Sequence, residues 1–355
     1  MKVELTDLAA ITEGRRTSFS RVDDTTTITN GIAGEDAVWL RKPVYAPMVE
    51  PSVSTPSIYE LANTEETLLL ALQGIESTVC ARSRCLNPPD RAQRAANKIF
   101  QLWAAKACGF SVPKTLVTND FREAKAFCDS MLKSIYKPLR HSLWPISANQ
   151  YTMLRTTSVC AQGFAELDEN AAWAPGILQE RIEKAAEYRV VVIADSVLAY
   201  EIRHSHGADQ VDWRQNPPEE NLLEFSACVL PPETLGALGR LKSLLALEHF
   251  VVDLAKSVSG EIFFLEVNPH GQFLFPEAAN DELPVLYDFS AALFQWLAGE
   301  RYPVSAAEVT LETFFENSSF KGQPATHQQP GSAGLSRKTV SVFDPIAVIR
   351  PGELA

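Results

Sequence analysis

The residues best suited to chemistry stand at the end of an apolar run. Ile262, Phe263, Phe264 and Leu265 form a stretch of strand length, which predicts a backbone buried on both faces. Glu266 and Asn268 follow two residues apart, so on a strand both oxygen-bearing side chains leave the same face. Pro269 and Gly271 then end the strand and permit a tight turn. A carboxylate beside an amide oxygen, both emerging from a dry wall, makes half a cage for a hard cation such as Mg2+, which takes oxygen ligands and shares them with phosphates. The plainer reading of the same residues is an Asx turn closing an ordinary strand. Asp253 follows Phe250-Val251-Val252 on the segment expected to pair with 262–267, where it would complete an Asp, Glu and Asn oxygen set.

Positive side chains that are expensive to bury unpaired mark a second group. Lys98 lies on the helix after the Pro88-Pro89 stop, where a solvated helix face is the plain alternative, whereas Lys137 sits inside an apolar strand just before Pro138. Gln179, Glu180, Arg181 and Ile182 end a strand at what reads as a connection between domains, and such an edge offers backbone groups to a purine. Glu187 and Arg189, again two apart on a strand, share a face. The carboxylate can accept from ribose hydroxyls, and the guanidinium can fork onto phosphate or carboxylate oxygens. His204 and His206 read as solvated loop residues, and Trp213 as packing against a strand wall.

The elements that must position these residues belong to a chain of 355 residues, long enough for two or three domains. Hydrophobic residues at 46% and charged residues at 21% describe an ordinary globular protein. A formal charge of -12 without a long basic run argues against a nucleic-acid partner. No apolar segment of about 18 residues is present and the N-terminus lacks a signal-peptide core, so a cytoplasmic protein with no membrane partner is expected. Cys80, Cys85, Cys108, Cys128, Cys160 and Cys228 include no CxxC pair, which predicts buried free thiols rather than a zinc site or disulfide framework. Helices are expected over 57–75, 91–109, 121–131, 232–247 and 282–297. Strands are expected near 36–45, 134–139, 151–160, 176–182, 188–194, 196–202, 250–254 and 262–267, with a loop through 141–150. Residues 322–336 read as a flexible linker, and 340–348 as an extended segment that docks elsewhere or stays disordered.

In order, Lys98, Lys137-Pro138-Leu139, Gln179-Glu180, Glu187-x-Arg189, Asp212-Trp213-Arg214, Asp253 and Glu266-x-Asn268 resemble the ATP-grasp ligases of the glutathione synthetase and ribosomal protein S6 modification type. Asn87-Pro88, Asn97-Lys98, the run 112–120 (VPKTLVTND), Asp212-Trp213-Arg214 and the run 266–273 (EVNPHGQF) are similar to the graspetide, or microviridin-type, peptide macrocyclases. The resemblance covers roughly residues 36 to 298 as an ordered set of motifs. It implies an α/β protein of ATP-grasp fold: an N-terminal α/β domain (1–120), a small central subdomain (121–195), a C-terminal antiparallel-sheet domain (196–302) and a partly flexible tail (303–355). It also implies roles. Lys98 and Lys137 would contact ATP phosphates, Gln179, Glu180, Arg181 and Ile182 would line the adenine edge, and Glu187 would hold ribose. Arg189 and Arg214 would face the transferred phosphate or the acyl-phosphate, and Asp253, Glu266 and Asn268 would ligate Mg2+. Three departures from the pattern stand out: the run after Lys137 (RHSLWPISANQ) lacks the glycines of a mobile phosphate-covering loop, His270 stands where a small polar tip residue is expected, and the tail after Tyr302 has no counterpart.

The activity so implied is activation of Asp or Glu side chains of a ribosomal precursor peptide, bound through its leader, and their linkage to Ser or Thr hydroxyls or Lys amines of the same peptide. ATP and Mg2+ are the implied cofactors, and a homodimer is left open. The rival ligase reading joins small-molecule carboxylates and amines, or adds amino acids to a peptide terminus; the rival non-enzyme is a nucleotide- or peptide-binding protein.

Overall fold

A proline and an asparagine set two neighbouring helix starts in the first half of the chain. The structure, a computed structural model, describes residues 2–6 and 37–39, helical positions within 67–81, and residues 84–139, 143–147, 150–153, 156–160, 163, 174–204, 223–317 and 346–350. β1 (Lys2–Thr6), β2 (Ala37–Trp39) and β3 (Arg84–Leu86) come first, β2 and β3 being parallel. Pro89 opens α1 (Pro89–Ala95), at a position where its missing N–H would have no helical partner anyway. The single helix expected over 91–109 is broken. Asn97 accepts hydrogen bonds from the N–H groups of Ile99 and Phe100, both at 3.0 Å, and starts α2 (Lys98–Ala107). An asparagine able to bond the next turn's backbone favours a helix start over a helix interior. Lys98 therefore occupies a helix N-terminus rather than a mid-helix face.

A small sheet follows. β4 (Thr115–Thr118) passes through Asp120, which caps α3 (Phe121–Asp129) by accepting from Glu123 N–H at 2.9 Å. β5 (Ser134–Pro138), β6 (Leu143–Ser147), β7 (Gln150–Met153), β8 (Thr157–Val159) and β9 (Gly176–Glu180) come next. The antiparallel order is β4-β9-β5-β8, while β6 and β7 pair as a separate hairpin. That hairpin occupies much of the stretch 141–150 expected as a loop. Pro145 is tolerated there because a two-stranded ribbon consists only of edges, and the ladder is irregular between Pro145 and Ser147. Leu116, Tyr136 and Leu178 pack on Ala124 and Cys128 of α3. By alternation Thr115, Ile135, Lys137, Ile177 and Gln179 share the opposite face.

The larger sheet carries the core. β10 (Lys184–Ile193), β11 (Ser196–His204) and β12 (Leu223–Ala227) precede α4 (Pro232–Leu245), β13 (His249–Ser257) and β14 (Ile262–Asn268). The antiparallel order is β12-β11-β10-β13-β14. β10 is buried from Ala186 to Ile193, as its valine run predicts for a central strand. On one face Val190, Val192, Val252, Leu254 and Phe264 pack against Ala104 and Ala105 of α2 and Leu238, Leu241 and Leu245 of α4. Burying those three leucines contributes roughly 1.5–3 kcal/mol each. α5 (Phe275–Ala279) and α6 (Val285–Ala298) follow. On the second face Val191, Ile193, Tyr200, Ile202 and Val251 meet Phe273 and, from α6, Val285, Phe289 and Ala292. The chain continues through α7 (Leu311–Asn317) to β15 (Ile346–Arg350), which pairs with both β1 and β2.

The thiol expectation needs correction. Cys80 and Cys85, five residues apart with Cα atoms 5.1 Å from each other, form a disulfide. Cys108 and Cys128 are buried thiols, whereas Cys160 is exposed and Cys228 half-buried. No helix among the described residues is long and apolar enough to cross a membrane. The expected linker at 322–336 lies outside the described residues.

Candidate functional site

Three of the candidate residues stand abreast. Arg189 on β10 lies opposite Asp253 on β13, and Asp253 lies opposite Glu266 on β14. Residues directly opposite on neighbouring strands project from the same face, so the row reads Arg, Asp, Glu across three strands. Asn268 lies two residues beyond Glu266, opposite Val251, and Glu187 lies two residues before Arg189, opposite Ala255. An irregularity between Asp253 and Leu254 absorbs Leu265, which keeps Glu266 and Asn268 on the side of Asp253 while Val267 turns into the core. Asp253 and Glu187 are buried, Glu266 is half-buried and Asn268 exposed, so the patch deepens from the sheet edge toward its centre.

Arg189 is held firmly. Its Nη1 donates to Asp253 Oδ1 at 2.6 Å, its Nε and Nη2 donate to the Gln272 carbonyl at 3.2 and 2.5 Å, and the Phe275 ring lies 5.4 Å from its central carbon. Gly271 lets the tip come this close: a Cβ there would sit 2.7 Å from Val251 and 3.2 Å from the Arg189 guanidinium. Asn268 also closes an Asx turn, its Oδ1 accepting from His270 N–H at 3.0 Å. The plainer reading of Asn268 is thus part of the structure. An amide oxygen has two lone pairs, so the turn and a cation can share it.

One lysine reaches the strand that carries the other. Lys98 Nζ donates to the Pro138 carbonyl at 2.7 Å, next to Lys137, and both side chains are half-buried rather than solvated. Gln179 is buried on the face that carries Lys137; its Nε2 donates to Thr115 Oγ1 at 2.9 Å and its Oε1 has no hydrogen-bond partner. Glu180 and Arg181 give their backbone N–H groups to the carbonyls of Lys114 and Lys133, at 2.9 and 3.0 Å. A purine at this edge must therefore use other groups of 179–182. Glu187 forms an ion pair with Lys184 at 2.9 Å. Arg214 lies outside the described residues, as do His206 and Trp213.

Some residues of the patch were not singled out from the sequence. On a regular strand Lys184 and Glu187 would face opposite ways; an irregularity between Lys184 and Ala186 brings them together. Asn87 stands out in the sequence only through the Asn87-Pro88 motif. It is buried at φ +66°, its Oδ1 accepts from His249 N–H at 3.0 Å, and its Nδ2 donates to the carbonyls of His249 and, at 2.8 Å, Pro269. It ties the turn after β3 to the Asn268 tip. Tyr200, opposite Arg189 in the row, is buried with a hydroxyl that has no hydrogen-bond partner. Burial and then the carboxylates of Asp288 and Glu277 hold its ionisation well above the ordinary phenol range. Burial and Glu277 likewise raise the Asp288 carboxyl above its usual value. Glu277 accepts the Leu286 and Leu311 N–H groups at 2.7 Å each, at the first turns of α6 and α7.

The donor chemistry fits a magnesium nucleotide. Two carboxylates and an amide oxygen suit a hard cation, and two lysines together suit phosphates. The orphaned Gln179 acceptor, buried on the face that carries Lys137, suits an N–H of a base. Among the described residues no group of three or more His, Cys, Asp or Glu is placed to hold a metal, so a cation here needs Asn268 and oxygen atoms from its ligand.

No family model and no curated protein matches the chain. Solved structures do. A RiPP-associated ATP-grasp ligase from Chryseobacterium gregarium, in complex with ADP and a leader and core peptide, is 22% identical over 75% of this chain and 78% of its own, with a TM-score of 0.63. The macrocyclase MdnC from Microcystis aeruginosa MRC, bound with the precursor peptide MdnA, is 21% identical over 84% and 87%, with a TM-score of 0.65. The ATP-grasp ligase PsnB, complexed with a minimal precursor, Mg and ADP, is 23% identical over 75% and 80%, with a TM-score of 0.59. The chain has the fold of these ligases.

Proposed function

We propose that this chain, with an ATP-grasp fold shared with peptide macrocyclases, is an ATP-dependent ligase that joins Asp or Glu side chains of a precursor peptide to Ser, Thr or Lys side chains of the same peptide. The observation that carries the reading is the Arg189, Asp253, Glu266 row continuing into Asn268, in a fold that also brings Lys98 to the Lys137 strand. A carboxylate is resonance-stabilised and resists nucleophiles at neutral pH. MgATP, when bound, supplies the phosphoryl group that gives the peptide carboxylate a good leaving group.

The work of the chain is positioning and electrostatics. Asp253, Glu266 and Asn268 would hold Mg2+, Asp253 through the oxygen that does not accept from Arg189. Lys98 and Lys137 would hold phosphates. Gln179 would accept from the base, with Glu180, Arg181 and Ile182 lining its edge, and Glu187, steadied by Lys184, would accept from ribose hydroxyls. Arg189, fixed by Asp253 and the Gln272 carbonyl, would present positive charge that needs no reorganisation as negative charge develops; Arg214 would add a second. A leader segment of the peptide would dock on the same chain, and the reaction would run in the cytoplasm.

Mass spectrometry of a peptide carrying repeated Thr and Glu or Asp, incubated with the protein and MgATP, tests the reading. Loss of one water per link, with ADP release that depends on the peptide, is the expected result. Mass gain from an added amino acid would instead indicate the rival ligase, and peptide-independent ADP release would refute the proposal.

A further inference from the structure

We propose that Gln101 is a positioning residue for the cation site, fixing the strand between Glu266 and Asn268 relative to Lys98. The inference rests on the ligase reading, since it takes Asp253, Glu266 and Asn268 as cation ligands.

β14 is the outer strand of the larger sheet, and the outward backbone groups of such a strand need partners from elsewhere. Near its start the partner is a neighbouring segment: Phe264 N–H donates to the Ser111 carbonyl at 2.8 Å. At Val267 a side chain takes over. Gln101 Oε1 accepts from Val267 N–H at 2.9 Å, and its Nε2 donates to the Val267 carbonyl at 2.7 Å. The second Nε2 hydrogen goes to the Ala95 carbonyl at 2.7 Å, and the whole residue is only 3% exposed. The amide thus acts as a one-residue strand, with both donors used.

This grip falls at a critical place. Val267 is held by both backbone groups and by its side chain in the core, and the residues on either side of it carry the two candidate ligands of β14. Fixing Val267 fixes the line from which Glu266 and Asn268 project to the other face. Pro269, held by Asn87, secures the far side of Asn268. The same helical turn reaches the small sheet. Lys98 stands three residues before Gln101 and donates to the Pro138 carbonyl, so the first turn of α2, capped by Asn97, joins the lysine strand to the acid strand. An apolar side chain at 101 would fill the space but leave the Val267 N–H and C=O buried without partners, and the strand end would shift to satisfy them.

The test compares Gln101→Met and Gln101→Glu with the unaltered full chain. Three quantities are measured: Mn2+ affinity in the presence of ADP by electron paramagnetic resonance, ADP affinity without metal by calorimetry, and the thermal midpoint. Residues that orient ligands from behind change metal affinity by about 10–100-fold. Gln101→Met should weaken Mn2+ binding roughly tenfold, the low end of that range, while leaving metal-free ADP binding unchanged. Gln101→Glu keeps the acceptor for Val267 N–H and replaces only the donor, so it carries the same expectation should the Met variant fail to fold. Asp253→Asn and Glu266→Gln calibrate the titration. If neither alters Mn2+ affinity, the cation site is wrong and this inference falls with it. If both weaken Mn2+ binding and the Gln101 variants bind as the unaltered chain does, the inference alone is overturned. Equal losses of Mn2+ and metal-free ADP affinity in the Gln101 variants also overturn it, because they mark general disordering.

Discussion

Replacing Asp253 separates its structural work from the chemical role proposed for it. The Arg189 and Asp253 side chains are 5% and 10% exposed and their charged atoms lie 2.6 Å apart. Asp253→Ala leaves a buried guanidinium with the Gln272 carbonyl but without its counter-charge. Removing one partner of a buried pair costs about 3–5 kcal/mol, and the retained bonds to Gln272 place this case near about 3 kcal/mol. At roughly 2–4 °C per kcal/mol for a sizeable domain, the thermal midpoint should fall by roughly 6–12 °C. Asp253→Asn keeps the shape and an oxygen acceptor, so its stability loss should be about 1–2 kcal/mol. Its loss of Mg2+-dependent turnover should nonetheless match that of the alanine variant. Replacing both partners with apolar residues of similar size, Arg189→Met with Asp253→Leu, should recover most of the stability, since exchanging a buried pair for apolar packing is often neutral. Thermal unfolding together with Mg2+ titration of ADP release reads all three. The reasoning is refuted if Asp253→Ala costs less than about 1 kcal/mol, or if the double variant is no more stable than the weaker single one. An Asp253→Asn enzyme with unaltered Mg2+ dependence would remove Asp253 from the cation set.

Four further outcomes can be checked by unfolding measurements, the first of them also by turnover. Gly271→Ala places a Cβ 2.7 Å from Val251 and should destabilise by about 1–3 kcal/mol while loosening the Gln272 carbonyl from Arg189, seen as a lower kcat. Asn87→Ala strips three hydrogen bonds from buried backbone groups and leaves an alanine at φ +66°, so a loss of about 2–4 kcal/mol is expected, whereas Asn87→Gly should lose less because it removes the backbone strain. Asp288 is held above its usual carboxyl range, so the folded state binds its proton more tightly than the unfolded chain does and stability falls as pH rises through that raised value. Asp288→Asn should therefore gain midpoint over the unaltered protein at neutral pH, with the gain vanishing in acid; Tyr200→Phe, removing a hydroxyl without a hydrogen-bond partner, should be neutral or stabilising.

The residues legible in the sequence were those governed by local periodicity. Glu266 and Asn268, or Glu187 and Arg189, share a face because a strand repeats every two residues, and Asp253 joins them because a short hairpin fixes its partner strand. Lys98 was legible as helical, but its position at a helix start depends on the competition won by the Asn97 side chain. Asn87 and Gln101 escaped because their partners lie 162 and 166 residues away, and nothing local distinguishes a clamping amide from a solvated one. Lys184 escaped because an irregular ladder overrides strict alternation. β7 falls within the strand expected near 151–160, whereas β6 and β12 carry no comparable signal, because short segments, one holding Pro145, have no pattern long enough to outweigh a loop reading.

The extra residue at Leu265 makes the candidate site and the core inseparable. Sliding β14 by a single position against β13 would drive Glu266 into the space now filled by Val267 and send the valine into water, an exchange that neither could tolerate. Intermediate alignments, with half the oxygen atoms in place, are excluded by the same apolar contacts that hold the sheet together. Loss of the proposed chemistry would then come from replacing side chains on an unmoved scaffold, not from shifting the scaffold itself.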